Sequence, residues 1–169
     1  MKMNQVACVM GWMAGMLLVS SCGVYSPYGA QTSGAKTYSV VPFEMLTPLA
    51  SASNALTLTE ALRDRIQRQS TLRLVDSAGE LQFAGEVVTW EISPVNVQGD
   101  ETAASNRLTI GVRVHYENTL ATELSFDRTF TRFADYSSEL DLISVEDELV
   151  AEIGAQLSQD IFNASLGNW

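Results

Sequence analysis

The chain has 169 residues, 46% hydrophobic and 18% charged, with 20 acidic side chains against 10 basic ones and a formal charge of −10. That length fits one domain, or one domain plus a processed segment, and the apolar content excludes a disordered chain. The acidity excludes a broad nucleic-acid surface, and one histidine with two cysteines excludes a His/Cys zinc cage.

The chain opens on Lys2, followed by Val6–Val19, an uncharged apolar run of 14 residues. This is the length of a secretory leader and short of the roughly 18–20 residues that span a bilayer. It ends in Val19-Ser20-Ser21-Cys22, an aliphatic residue and two small ones before a cysteine, which resembles the lipobox of bacterial lipoproteins. On that reading residues 1–21 are a signal peptide and the Cys22 thiol takes a diacylglycerol. Small side chains before it admit the peptidase. Cys8 leaves with the leader and Cys22 is consumed by lipid, so the mature chain holds no thiol for a disulfide, a metal or catalysis. Loss of Lys2 leaves 9 basic residues against 20 acidic, a charge of −11. Gly23 stands after the cysteine in place of an aspartate, and no acidic run follows. By analogy with lipoprotein sorting this directs the protein to the outer membrane, facing the periplasm.

Residues 22–36 read as the lipidated cysteine and a Gly/Ser-rich tether, with the folded domain expected over 37–169. Tyr25 and Tyr28 suit a bilayer interface, a partner, or plain solvent. Thr37–Phe43 is a short β-rich run, and Pro42 places it at an edge or near a strand end. Thr57-Leu58-Thr59-Glu60 matches a capping box and predicts a helix start. Leu58, Ala61, Leu62 and Ile66 form its apolar stripe, and Asp64 and Arg68 are spaced for an i,i+4 pair. Arg63, Arg65 and Arg68 form either an anion site or a solvated face.

Leu72–Val75 alternates as a half-buried strand, Asp76–Gly79 supplies a turn, and Leu81–Ile92 returns as a longer strand. Asp76-Ser77-Ala78 also resembles a short O-glycosylation motif of some Bacteroidota. Gln98–Asn106 reads as a surface loop. Leu108, Ile110, Val112, Val114 and Tyr116 then give the clearest period-2 pattern in the chain, with Arg107, Thr109, Gly111, Arg113 and His115 on the other face. Glu117–Thr122 turns into a strand at Glu123–Phe133 with Leu124, Phe126 and Phe130 on one side. Ser144 is a candidate N-cap, with Glu146, Asp147 and Glu148 filling the first turn of a second helix. Val145, Leu149, Val150, Ile153, Leu157 and Ile161 form its stripe, and Gly154 within it either weakens the helix or permits a close approach. The order β-α-β-β-β-β-α predicts an α+β two-layer sandwich: a mainly antiparallel sheet of four to five strands beside two helices.

Chemistry-bearing motifs are scarce. His115 is the single imidazole, and no nucleophile elbow, P-loop, dinucleotide fingerprint or EF-hand accompanies it. An enzyme, a cofactor and a metal site are therefore not expected. Arg107 and Arg113 share one face of a predicted strand, and Arg128 and Arg132 share a face of the next. If the two faces coincide, four guanidiniums form a cationic patch suited to lipid phosphate. Cross-strand pairing with Asp127, Glu117 or Glu123 is the alternative.

Beyond the lipobox, the chain carries Leu72-Arg73-Leu74-Val75-Asp76, then Leu81-Gln82-Phe83-Ala84-Gly85-Glu86-Val87-Val88. Pro94-Val95-Asn96-Val97-Gln98-Gly99-Asp100-Glu101-Thr102-Ala103-Ala104 and Asn106-Arg107-Leu108-Thr109-Ile110 follow. The end reads Gln159-Asp160-Ile161-Phe162-Asn163 and Gly167-Asn168-Trp169. In this order they resemble the Bacteroidota branch of the LptE family of lipopolysaccharide-assembly lipoproteins. The Tyr25–Gly29 stretch differs from the Tyr-Ser-Phe-Thr-Gly commoner in members. The resemblance implies a non-enzymatic outer-membrane subunit that plugs the LptD β-barrel, assists its assembly and binds lipopolysaccharide; the strand pattern, separately, offers Arg107, Arg113, Arg128 and Arg132 as the candidate contacts, with at least two of the four expected to meet lipid A or core phosphates. The alternatives are a lipoprotein of another envelope assembly, or an anchored hydrolase using His115.

Overall fold

The computed structural model describes residues 30–48, 51–95 and 104–167. The leader, Cys22, Tyr25, Tyr28 and most of the 98–106 loop lie outside them. Six strands form one sheet: β1 Thr37–Val40, β2 Glu44–Met45, β3 Arg73–Leu74, β4 Leu81–Val95, β5 Ser105–Asn118 and β6 Phe126–Ser137. Two helices, α1 Ala52–Gln69 and α2 Leu142–Leu166, complete the expected α+β two-layer fold. The strand order is β3-β1-β4-β5-β6, with β2 also alongside β4.

The long strands β4, β5 and β6 form an antiparallel meander, and the buried face read for β5 holds at all five of its positions. Leu108, Ile110, Val112, Val114 and Tyr116 are all fully buried against the helices. An aromatic file crosses this face from Phe83 to Tyr116 to Phe126, with centroids 4.9 and 5.2 Å apart. The β5–β6 turn is organised by buried Asn118, whose Oδ1 accepts from the amides of Leu120 and Ala121 at 3.0 and 2.9 Å. β6 therefore begins at Phe126 rather than Glu123; Leu124 sits in a 3-10 turn and is exposed.

The other end of the sheet departs from the expected meander. β1 pairs in parallel with both β3 and β4 and separates them. Asp76–Gly79 is therefore no hairpin turn, and residues 75–80 must cross the backbone of β1. The crossing is tight: a Cβ on Gly79 would lie 2.5 Å from Ser39 N and 2.6 Å from Tyr38 C. Its amide donates to Ser39 Oγ at 3.2 Å. β3 keeps only two residues, with Leu72 buried beside it and Leu74 43% exposed. Within the stretch read as a tether, Ala30 bridges Gly167 and Ala35 is buried, while Gln31, Ser33, Gly34 and Lys36 are exposed.

Both helices start earlier than their cap motifs predict. α1 is capped by Ser51, whose side chain accepts from the Asn54 amide. Thr57 is interior, its hydroxyl donating to Ser53 O at 3.2 Å, and Glu60 pairs with Arg63 instead of closing a capping box. α2 is capped by Asp141; Ser144 turns its hydroxyl back to Asp141 O at 2.6 Å. Each true cap is itself a good cap residue, and the helix extends back until it meets one. Gly154 permits close approach: a Cβ there would meet Leu58 Cδ2 at 3.2 Å and Ala61 Cβ at 3.5 Å, where α1 packs on α2.

Candidate functional site: the open face of the sheet

Both helices cover one face of the sheet, and among the described residues no second layer covers the other face of β4, β5 and β6. Strand alternation decides what this open face carries. Gln82 stands opposite Glu117, Ala84 opposite His115 and Glu86 opposite Arg113. Across β5 and β6, Arg107 faces Asp135, Thr109 faces Phe133, Gly111 faces Thr131 and His115 faces Asp127. A Cβ on Gly111 would lie 2.9 Å from the side chain of Thr89 and 3.3 Å from Thr131 Oγ1, so the two threonines flank it closely.

Two bidentate ion pairs dominate this surface. Arg113 donates to Asp127 at 2.7 and 2.9 Å, and Arg107 donates to Asp135 at the same two distances. The fork geometry satisfies both carboxylate oxygens at once. Arg107 also stacks on Phe133, its guanidinium carbon 3.7 Å from the ring centroid. The hydrogen bonds from the guanidiniums hold the Asp127 and Asp135 carboxyls below the usual carboxylate range and raise Arg113 and Arg107 in return.

Beside Arg113 the face dips into a concavity of about 310 Å³, lined among others by Val41, Pro42, Glu44, Glu86, His115 and Asp127. Its rim exists because Phe43 is clamped behind it. The Phe43 amide donates to Thr59 Oγ1 at 2.9 Å, and its ring occupies the space a Cβ on Gly85 would fill. His115 faces Asp127 across the strands, but Arg113 holds both Asp127 oxygens. Among the described residues the hydrogen bonds to Asp127 come from Arg113 and none comes from His115.

The four arginines do not share a face. Arg107 and Arg113 lie on the open side. Arg128, opposite Val114, and Arg132, opposite Ile110, lie on the helix side at the sheet edge. The reason is parity: Arg128 and Arg132 align with the buried alternation of β5. Arg132 makes a bidentate pair with Asp160 of α2 at 2.5 and 2.8 Å. Arg128 alone of the four makes no ion pair among the described residues; its guanidinium carbon lies 5.5 Å from the Phe126 ring centroid. Cross-strand pairing thus accounts for Arg113 as the alternative reading expected. Asp135 and Asp160, each 28 residues from its arginine, carried no local signal. The arginines of α1 also separate: Arg63 pairs with Glu60 and donates to Val40 O, Arg65 donates to Ala155 O, and Arg68 pairs with Asp64. They form no anion site.

The family model LptE, described as lipopolysaccharide-assembly, matches residues 35–165. No curated protein matches the chain. Among solved structures, a Xanthomonas campestris protein of the DUF330 family superposes with a TM-score of 0.53 at 14% identity, covering 80% of this chain and 85% of that one. Rare lipoprotein B from Shewanella oneidensis gives 0.48 at 15% identity, over 75% of this chain and 92% of that one. A minor lipoprotein from Acinetobacter baumannii gives 0.47 at 18% identity, over 79% and 97%. The Xanthomonas likeness speaks for the fold alone.

Proposed function

The chain belongs to the LptE family of lipopolysaccharide-assembly proteins, and on that premise we propose that it is the lipoprotein subunit of an outer-membrane lipopolysaccharide translocon. In this reading residues 1–21 are removed, Cys22 carries the lipid, and residues 22–36 lead into the domain. That domain sits in the lumen of an LptD-type β-barrel, plugging it and assisting its assembly. The protein is non-enzymatic and needs no cofactor.

The observation that carries the reading is the open face. A sheet face lined by paired Arg107–Asp135 and Arg113–Asp127 and by threonines is ill suited to an apolar partner. It matches the polar interior of a transmembrane barrel. Contact with lipid A or core phosphates through the arginines belongs to the same proposal, with a changed order of importance. Among the described residues Arg128 has its guanidinium outside any ion pair, 5.5 Å from the Phe126 ring centroid, whereas Arg107, Arg113 and Arg132 must exchange a carboxylate for phosphate. Arg128→Glu is expected to weaken lipopolysaccharide binding more than any of the other three single reversals. Equal binding by the parent and the quadruple Arg→Glu variant refutes the contact.

The test of the main reading is purification of the lipidated protein in detergent from its own membranes, followed by mass spectrometry. A large outer-membrane β-barrel is expected in stoichiometric amount. Its absence from the purified fraction, with the barrel present in the starting membranes, overturns the assignment.

A further inference from the structure

Residues 75–80 cross the backbone of β1, and two hydrogen bonds fix the ends of the crossing. Val75 N–H donates to Tyr38 O at 2.9 Å, and Gly79 N–H donates to Ser39 Oγ at 3.2 Å. Gly79 is buried, while the three residues between the anchors, Asp76, Ser77 and Ala78, are all exposed. Among the described residues the Ser77 hydroxyl and the Asp76 carboxylate have no hydrogen-bond or ion-pair partner. Ala78 is the unusual member. Its φ is +53°, in the left-handed region that glycine, asparagine and aspartate enter far more readily than alanine. Its side chain is exposed and outside the hydrophobic core, so packing gives no reason for a methyl group there. Strain kept where folding does not need it points to a role for the side chain. These three residues are also the ones whose order, Asp then Ser then a small apolar residue, resembles an O-glycosylation acceptor. No other aspartate in the chain is followed by serine or threonine.

We propose that Ser77 is a modification site and carries an O-linked glycan. The step is a glycosyl transfer. Ser77 Oγ attacks the anomeric carbon of a polyprenyl-diphosphate-linked sugar, and the new C–O bond forms as the bond from that carbon to the phosphate oxygen breaks. The diphosphate leaves with the electron pair, and the serine proton passes to a base of the transferring enzyme. Neither oxidant nor reductant is needed. The fold holds the acceptor between two fixed anchors with its hydroxyl open to approach, so added bulk disturbs no packing. The site stands at the β3–β1 end of the strand order, away from Arg107 and Arg113 on β5, and the glycan leaves the open face clear. It adjoins β3, both of whose residues are exposed, and a hydrophilic chain there shields that edge from strand addition. The inference rests on the export of the chain proposed above, since the donor is met at the membrane after translocation. It is independent of the barrel assignment.

The experiment uses the lipidated protein purified in detergent from its own membranes, as the parent and as Ser77→Ala, Ser77→Thr and Ala78→Gly. Intact-mass measurement and fragmentation of the tryptic peptide 74–107 read the mass on residue 77. The parent is expected to carry glycan mass on Ser77, released by alkaline β-elimination. Ser77→Ala should lose all of it while keeping the lipid on Cys22 and an unchanged circular dichroism spectrum. Ser77→Thr, which keeps a hydroxyl, should remain modified. Ala78→Gly should lower the modified fraction at least tenfold without lowering the urea midpoint. A bare Ser77 on a chain whose Cys22 is lipidated overturns this proposal and leaves the export reading standing; a chain with neither lipid nor glycan overturns both. Glycan that persists in Ser77→Ala overturns the assignment to this residue, and modification of Ala78→Gly to the parent's level overturns the role given to the strained alanine.

Discussion

Gly79→Ala tests the crossing of β1 directly. The added Cβ would lie 2.5 Å from Ser39 N, 2.6 Å from Tyr38 C and 2.8 Å from Tyr38 Cα. These are backbone atoms of a buried strand, so no side-chain tip can rotate away. The 75–80 crossing must lift, which weakens the bond from Gly79 N–H to Ser39 Oγ and the 2.9 Å bond from Val75 N–H to Tyr38 O. Two hydrogen bonds at about 0.5–1.5 kcal/mol each, with overpacking of about 1–3 kcal/mol, predict a loss of about 2–6 kcal/mol. With a urea dependence of roughly 1–3 kcal/mol/M for small domains, the unfolding midpoint should fall by about 2 M. Gly34→Ala is the comparison. Gly34 has φ +85° and nothing within 4 Å, so alanine there meets only the left-handed backbone cost of about 1–2 kcal/mol. Urea unfolding followed by circular dichroism gives both values. If Gly79→Ala is no worse than Gly34→Ala, the crossing is not packed as described and the argument for a β1-centred parallel edge fails.

Gly154→Ala should be nearly neutral, because about 1 kcal/mol of helix propensity offsets a small displacement of the flexible Leu58 tip. Gly154→Val, which must push α1 away, should lower stability by about 1–3 kcal/mol, and a stabilised valine variant in the same urea assay would contradict the close approach. The arginine forks hold the folded-state pKa of Asp127 and Asp135 below the ordinary value, so their contribution is complete above about pH 4, where unfolded carboxylates ionise, and is lost as pH falls through the lower folded values. The urea midpoint should therefore be shallow in pH from 5 to 7 and drop below about 4, with a gentler drop for Asp127→Asn/Asp135→Asn; identical slopes for parent and double variant would discard this account. Cys22→Ala should abolish acyl labelling and membrane retention together, and labelling that persists places the lipid elsewhere. His115→Ala should leave folding and barrel co-purification unchanged, since Arg113 and not His115 holds Asp127; a hydrolytic activity lost selectively in this variant would restore the enzyme reading.

Local patterns carried the elements and the core of this protein. The alternation of Leu108 to Tyr116 identified a strand with one buried face, and all five of those residues are fully buried. The stripes of α1 and α2 were equally legible, with Leu58, Leu62, Ile66, Leu149, Ile153 and Leu157 in the core. Such patterns survive because burial acts on each element through its own period, 2 for a strand and 3.6 for a helix. The helix starts were less secure: Thr57 and Ser144 satisfy the cap rules locally, and only the continuous backbone shows that Ser51 and Asp141 cap the helices.

What the tertiary structure alone decided is register and order. Whether Arg128 shares a face with Arg113 depends on which β5 residue it stands beside, and a shift of one residue exchanges the faces entirely. The pairing of Val114 with Arg128 therefore divided a presumed cluster of four into two pairs on opposite sides. Insertion of β1 between β3 and β4 was equally hidden, because Asp76–Gly79 reads as a turn whether the chain reverses or crosses a neighbour. The sequence alone determines which residues seek the interior; which residues face one another is decided by the alignment of strands far apart in the chain, and the candidate site is built from that alignment.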